Sequence, residues 1–98
     1  MIIVIGRVLA KSNSLADLLD LSLEHVRRSR TEPGCLSHAV HQDAENPLRL
    51  VFLEEWADYA SLQEHFRVPA SRAFVGAARA LAAEPPTINS YDANPLKF

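Results

Sequence analysis

Ile2-Ile3-Val4-Ile5-Gly6-Arg7-Val8-Leu9-Ala10, residues 2 to 10, is the stretch on which the fold turns. Its run of β-branched residues reads as a strand. Ile3, Ile5 and Leu9 fall on one face by the two-residue alternation, and Ile2, Val4 and Val8 on the other. A strand whose helices lie on one side normally wets its other face. Here both faces are apolar, so the sheet needs cover on both sides.

Moving outward, Ser14 is placed to cap a helix, with Asp17 three residues on in the capping-box position. Leu15, Leu18, Leu19, Ser22 and Val26 follow helical spacing. Arg27, Arg28 and Arg30 crowd its last turn, where cations complement the helix dipole, and Pro33-Gly34 stops it. Residues Cys35 to Gln42 alternate as a strand, with Leu36, His38 and Val40 on one side. The turn cluster 43–47 joins it to a strand from Leu48 to Trp56, which predicts a hairpin.

Asp58 can cap the next helix, in which Tyr59, Leu62 and Phe66 recur at three and four residues. Pro69 interrupts or restarts it. Phe74, Val75, Ala78, Leu81 and Ala82 then form an apolar stripe, with Arg72 and Arg79 expected on the opposite, solvated face. Thr87 to Ala93 reads as a final strand.

The order β-α-β-β-α-β, with right-handed crossovers, predicts an α+β, ferredoxin-like subunit. Its four-stranded antiparallel sheet carries both helices on one face. An open face that is also apolar is most simply covered by a second copy, so a homodimer is expected.

The 98 residues are read as one domain, 1–98; 48% are hydrophobic and 22% charged, as in ordinary globular chains. Ten Lys+Arg against twelve Asp+Glu leave a net charge of −2, which offers no basic field for nucleic acid or an anionic membrane. The apolar first strand has no basic segment before it and no cleavage-site pattern, and no run reaches the ~20 residues of a membrane span. The expected setting is the cytoplasm. Cys35 is the only cysteine, which excludes an intrachain disulfide and a cysteine-rich zinc site.

Four histidines invite a metal reading, but His38 and His41 are three apart on a strand and point to opposite faces. His25, among arginines near a helix end, is expected to be exposed. No dedicated metal site is expected, and three glycines cannot write a nucleotide-binding loop. Cys35 reads as a small packed residue, and the arginine run at 27–30 as a helix cap. Phe52, Glu54 and Trp56 share one strand face. Glu54 can be a strand carboxylate held by hydrogen bonds or a site acid, and Trp56 a core residue or a ligand platform. His65 flanks the apolar face of its helix. A structural histidine is the simpler reading, yet beside an aromatic pocket it is placed to deprotonate a bound phenol.

Glu32-Pro33-Gly34-Cys35-Leu36, then Glu54-Glu55-Trp56, then Leu62 with His65, Pro69 and Phe74 resemble the antibiotic biosynthesis monooxygenase family, over about residues 2–91. The resemblance implies a ferredoxin-like subunit dimerised sheet to sheet into an α+β barrel. It implies oxidation of anthrones or quinols with molecular oxygen and no cofactor, in a pocket between helices and sheet. His65 and Trp56 are then the expected catalytic residues. Glu54, Tyr59, Leu62, Phe66 and Phe74 would bind substrate. The chain departs from the family where many relatives carry a second histidine after the proline: it has Ala70 and Ser71. Haem-degrading relatives carry an asparagine in the first strand, where this chain reads Ile5-Gly6-Arg7. A non-catalytic small-molecule-binding or stress-related dimer is the alternative, and an isomerase or lyase on the same scaffold a third possibility.

Overall fold

A computed structural model describes all residues, 1–98. The elements run β1 (Ile2–Leu9), α1 (Leu15–Ser29), β2 (Cys35–Gln42), β3 (Arg49–Trp56), α2 (Tyr59–Arg67), α3 (Pro69–Leu81) and β4 (Thr87–Asp92). They form the ferredoxin-like α+β fold, with one antiparallel sheet in the order β2-β3-β1-β4. The predicted hairpin is β2–β3, and β1 reaches β2 only by a split crossover through α1.

The expected second helix is two helices. Val68 precedes Pro69, whose ring disfavours helical backbone in the residue before it, and Val68 is extended at φ −63°, ψ 124°. Pro69 then serves as the first residue of α3, where its missing N–H costs nothing. The Asp58 cap of α2 forms, its carboxylate accepting from Ser61 N at 2.8 Å. The Ser14 capping box does not: Ser14 Oγ donates to Asn13 Oδ1 instead, at 3.3 Å. Gly34 turns the chain into β2 at φ +81°, and a Cβ there would run into the Ser61 side chain.

The even-numbered residues of β1 and β3 face the helices: Val4, Val8, Leu50, Phe52, Glu54 and Trp56 are all buried. On the other face lie Ile3, Ile5, Leu9, Val51 and Leu53, only partly covered. Two clusters make the core. One joins Val8, Leu50 and Phe52 to Leu18, Val26 and Ala78 from the helices. The smaller joins Val4, Trp56 and Leu62. No helix of the molecule is long and apolar enough to cross a membrane.

Register positions the site. Val40, Phe52, Gly6 and Ile88 form one row across the sheet, and His38, Glu54, Val4 and Ser90 the next. Gly6 contributes no side chain to its row, so the sheet floor stays open between Phe52 and Ile88. A Cβ at Gly6 would make ordinary contact, 3.6 Å from Phe52 Cβ. Gly6→Ile should therefore fold, with a circular dichroism spectrum like the parent's, while its branched side chain fills the space above the floor. Loss of at least tenfold in the affinity of any aromatic ligand checks this; undiminished binding would mean the space is not the binding site.

Candidate functional site

A cavity of about 320 Å³ opens above that floor, between α3 and the sheet. Phe52, Phe66 and Phe74 give it flat apolar walls, and His25, Glu54 and His65 are the polar groups beside them. Those three come from α1, β3 and α2, so no local sequence pattern announces their meeting.

His65 is buried and held from behind. Its Nδ1 lies 2.9 Å from Glu32 Oε1. A carboxylate only accepts, so Nδ1 donates and a neutral ring keeps its lone pair at Nε2. Nε2 is 3.9 Å from Glu54 Oε1, beyond a direct hydrogen bond. The ring also lies against Trp56, with centroids 4.6 Å apart.

Glu54 is a buried carboxylate with partners. Trp56 Nε1 donates to its Oε1 at 2.9 Å. His38 Nε2, on the strand position directly opposite, sits 3.2 Å from the same oxygen. Burial alone would raise the carboxyl, but the His38 ring beside it, the indole N–H and His65 outweigh burial and hold it below its usual range. His38 itself is buried, and neither ring nitrogen finds a well-aligned hydrogen-bond partner.

The structure corrects the expectation for His25, which is buried rather than exposed. Leu18, Ser22, His25 and Ser29 are the inward positions of α1, a three-and-four spacing that carries His25 into the core. Its ring stacks on Phe74 at 4.1 Å and 9°. Arg28 donates from one terminal nitrogen to His25 Nδ1 at 2.9 Å. A guanidinium can only donate, so His25 Nδ1 is the acceptor and the ring proton sits on Nε2. Burial, then the charges of His38, His65 and Arg28, push its pKa from 6.5 down to about 3, against the opposing pull of Glu54. His25 is thus a neutral N–H donor at physiological pH.

Arg28 is the centre of this network rather than a free helix cap. It also donates to Glu32 Oε2 at 3.1 Å and to the buried Ser71 hydroxyl at 3.2 Å. One guanidinium therefore orients His25 directly and His65 through Glu32. Arg30, its neighbour in the basic run, donates to the His38 carbonyl at 2.8 Å.

Of the residues singled out from sequence, Glu54, His65, Phe66 and Phe74 line the cavity. Trp56 and Leu62 lie one layer behind it, in the core with Val4. Tyr59 is not brought to the cavity: at the first position of α2 it is 61% exposed and does not line the walls. Arg72 and Arg79 are exposed as expected, yet both border the cavity. Cys35 is partly buried, and its thiol is pushed up by burial and then by Glu32 and Glu54, against Arg30, which suits a packed residue rather than a nucleophile.

His25, His38 and His65 are the residues that could hold a metal, with one ring nitrogen from each lying within 4.8 Å of the others. The donor set fits poorly. Tetrahedral zinc with bonds of ~2.0–2.1 Å needs nitrogens roughly 3.3 Å apart. Its bond to His25 Nε2 would also require the proton to move to Nδ1, against the Arg28 guanidinium.

Acidification gives a direct check on His25. Its folded pKa lies below its unfolded value, so the unfolded chain binds the proton first and stability is lost as pH falls through 6.5 toward 3. At pH 5 the loss amounts to at most ~2 kcal/mol, from 1.5 pH units at 1.36 kcal/mol each. Glu54, also held low, adds to the loss at lower pH. Urea midpoints of wild type and His25→Gln between pH 7 and 5 should converge as pH falls; parallel curves would contradict the assignment.

The molecule has close relatives in shape. Residues 1–77 match the sequence model of a family described as antibiotic biosynthesis monooxygenase. A crystal structure of an antibiotic biosynthesis monooxygenase superposes with a TM-score of 0.89 at 32% identity, covering 97% of this chain and all of that one. A candidate antibiotic biosynthesis monooxygenase from Deinococcus radiodurans superposes over the whole chain and 97% of its own, with a TM-score of 0.94 at 24% identity. That second likeness speaks for the fold. An uncharacterized protein of Synechocystis sp. is 32% identical over 90 residues, 92% of this chain. The match spans 61% of that relative's length.

Proposed function

The chain belongs to the antibiotic biosynthesis monooxygenase family, and on that premise we propose that it is a cofactor-independent monooxygenase acting on an electron-rich aromatic of the quinol or anthrone type. The observation that carries this reading is His65: fixed at Nδ1 by Glu32, it keeps Nε2 free on the wall of a cavity faced with three phenylalanines.

The planar substrate lies against Phe52, Phe66 and Phe74. His65 Nε2 takes its acidic proton, and the anion is met by the fixed N–H of His25. A delocalised anion of this kind passes an electron to molecular oxygen, and the radical pair couples to a peroxide. His65 returns its proton to that peroxide, and water leaves as the carbonyl forms. For an anthrone, one CH2 and one O2 become one C=O and one H2O. Exclusion of water and preorganised donors do the work, which needs no flavin or metal. His25 also supplies an imidazole from α1 where Ala70 and Ser71 replace the second histidine of many relatives.

The open sheet face, with Ile3, Ile5, Leu9, Val51 and Leu53, is the surface for a second copy. Burying it sheet to sheet makes the α+β barrel.

Oxygen uptake by metal-stripped protein, with a panel of quinols and anthrones and autoxidation subtracted, tests the reading. Protein-dependent uptake is expected. Ligand binding with no uptake across the panel would favour the non-catalytic binding dimer.

A further inference from the structure

The cavity has an electrostatic rim that its aromatic walls do not explain. The chain has eight arginines. Arg28, Arg49 and Arg67 are in ion pairs, and Arg30 donates to a backbone carbonyl. The remaining four, Arg7, Arg27, Arg72 and Arg79, have no ion pair and no side-chain hydrogen bond, and three of these four border this one cavity.

Arg72, Val75 and Arg79 follow one another at three and four residues along α3, so they share a face at the cavity mouth. Seven residues separate the two arginines by roughly 10 Å along the helix axis, a span that two long side chains can close around one group. Arg7 borders the cavity where β4 begins, opposite Thr87, but alternation puts its side chain on the sheet face of Ile3, Ile5 and Leu9, so the rim rests on Arg72 and Arg79. The only carboxylate on the cavity wall is Glu54, which is buried and already engaged by Trp56 and His38. On a chain with net charge −2, this mouth is locally positive and uncompensated.

We propose that Arg72 and Arg79 form an anion-binding rim, and that the ligand of this cavity is an aromatic acid: a planar ring system with a carboxylate or similar anionic substituent held at the mouth. Guanidinium groups pair with carboxylates in a two-pronged geometry, and such a contact orients the ring as well as attracting it. The inference rests on the same cavity as the proposed oxygenase and names its substrate class.

A matched pair of fluorescent probes tests it without turnover. 8-Anilinonaphthalene-1-sulfonate and N-phenyl-1-naphthylamine share one aromatic skeleton and differ by a sulfonate. The wild type should bind the sulfonate at least tenfold more tightly, and the preference should shrink as salt is raised to 0.5 M. Arg72→Gln/Arg79→Gln should lose the preference while keeping its affinity for the neutral probe. Gly6→Ile should lose both ligands. Equal affinities in the wild type, a preference that survives the double substitution, or undiminished sulfonate binding in Gly6→Ile would each overturn the proposal. Anion preference without oxygen uptake would count against the oxygenase alone; oxygen uptake without anion preference would count against the rim alone.

Discussion

Trp56→Ala is expected to lower the melting temperature by at least ~15 °C, a loss that takes most of the stability of a domain this small. Trp56 is fully buried at the end of β3, where it packs with Val4 and Leu62. Truncating a buried tryptophan costs ~3–5 kcal/mol in lost contacts and cavity. The indole N–H is also the donor on Glu54 Oε1, at 2.9 Å. Removing it leaves a buried carboxylate one hydrogen bond short, at a further cost of ~1–3 kcal/mol. A domain with ~5–15 kcal/mol of total stability has little left after both losses. Trp56→Phe separates the two, since it keeps most of the volume and loses only the donor. It should melt between wild type and Trp56→Ala in a thermal scan. A Trp56→Phe protein as stable as wild type would mean that the indole contributes volume alone.

His65→Ala carries the largest expected effect on activity, a fall of ~10²–10⁴ in protein-dependent turnover of a true substrate. His65 Nε2 is the unengaged ring nitrogen of the Glu32-held histidine, and the other polar groups on the wall cannot replace it. His25 is a neutral donor whose pKa near 3 leaves it a feeble base. Glu54 is held below its usual range and is correspondingly weak. Glu32→Gln should show a smaller loss of the same kind, because the amide oxygen can still accept from His65 Nδ1 but the negative charge beside the ring is gone. Initial rates of oxygen consumption check both. An unchanged rate in His65→Ala would remove His65 from the chemistry.

The strands and their order were legible because alternation and turn residues are local signals. Residues 2–10, the turn at 43–47 and Asp58 each declare themselves within a few positions. The cavity was legible only in part. Phe66, Phe74, Glu54 and His65 could be picked from one strand face, two helix stripes and the family pattern. His25 could have been found from its place among Leu18, Ser22 and Ser29, but the basic residues around it suggest an exposed helix end. Arg28 reads as part of a helix cap and Glu32 only as part of the family pattern, because their roles depend on His25, His65 and Ser71 meeting them in space. The His38–Glu54 contact is a matter of strand register, and alternation gives a strand's faces without giving its partner residue. Tyr59 shares a helical stripe with Leu62 and Phe66, yet only Leu62 of the three is buried, so the stripe alone does not say which of its members the fold covers.

Under the proposed function, this cavity inserts an atom of molecular oxygen into an aromatic substrate without a cofactor. Turnover of an anthrone by metal-stripped protein under ¹⁸O₂, read by mass spectrometry of the quinone, tests it most directly. The account predicts protein-dependent quinone heavier by 2 Da, its label rate collapsing in His65→Ala. Protein-dependent quinone formed without the label, or label incorporated equally by wild type and His65→Ala, would contradict it.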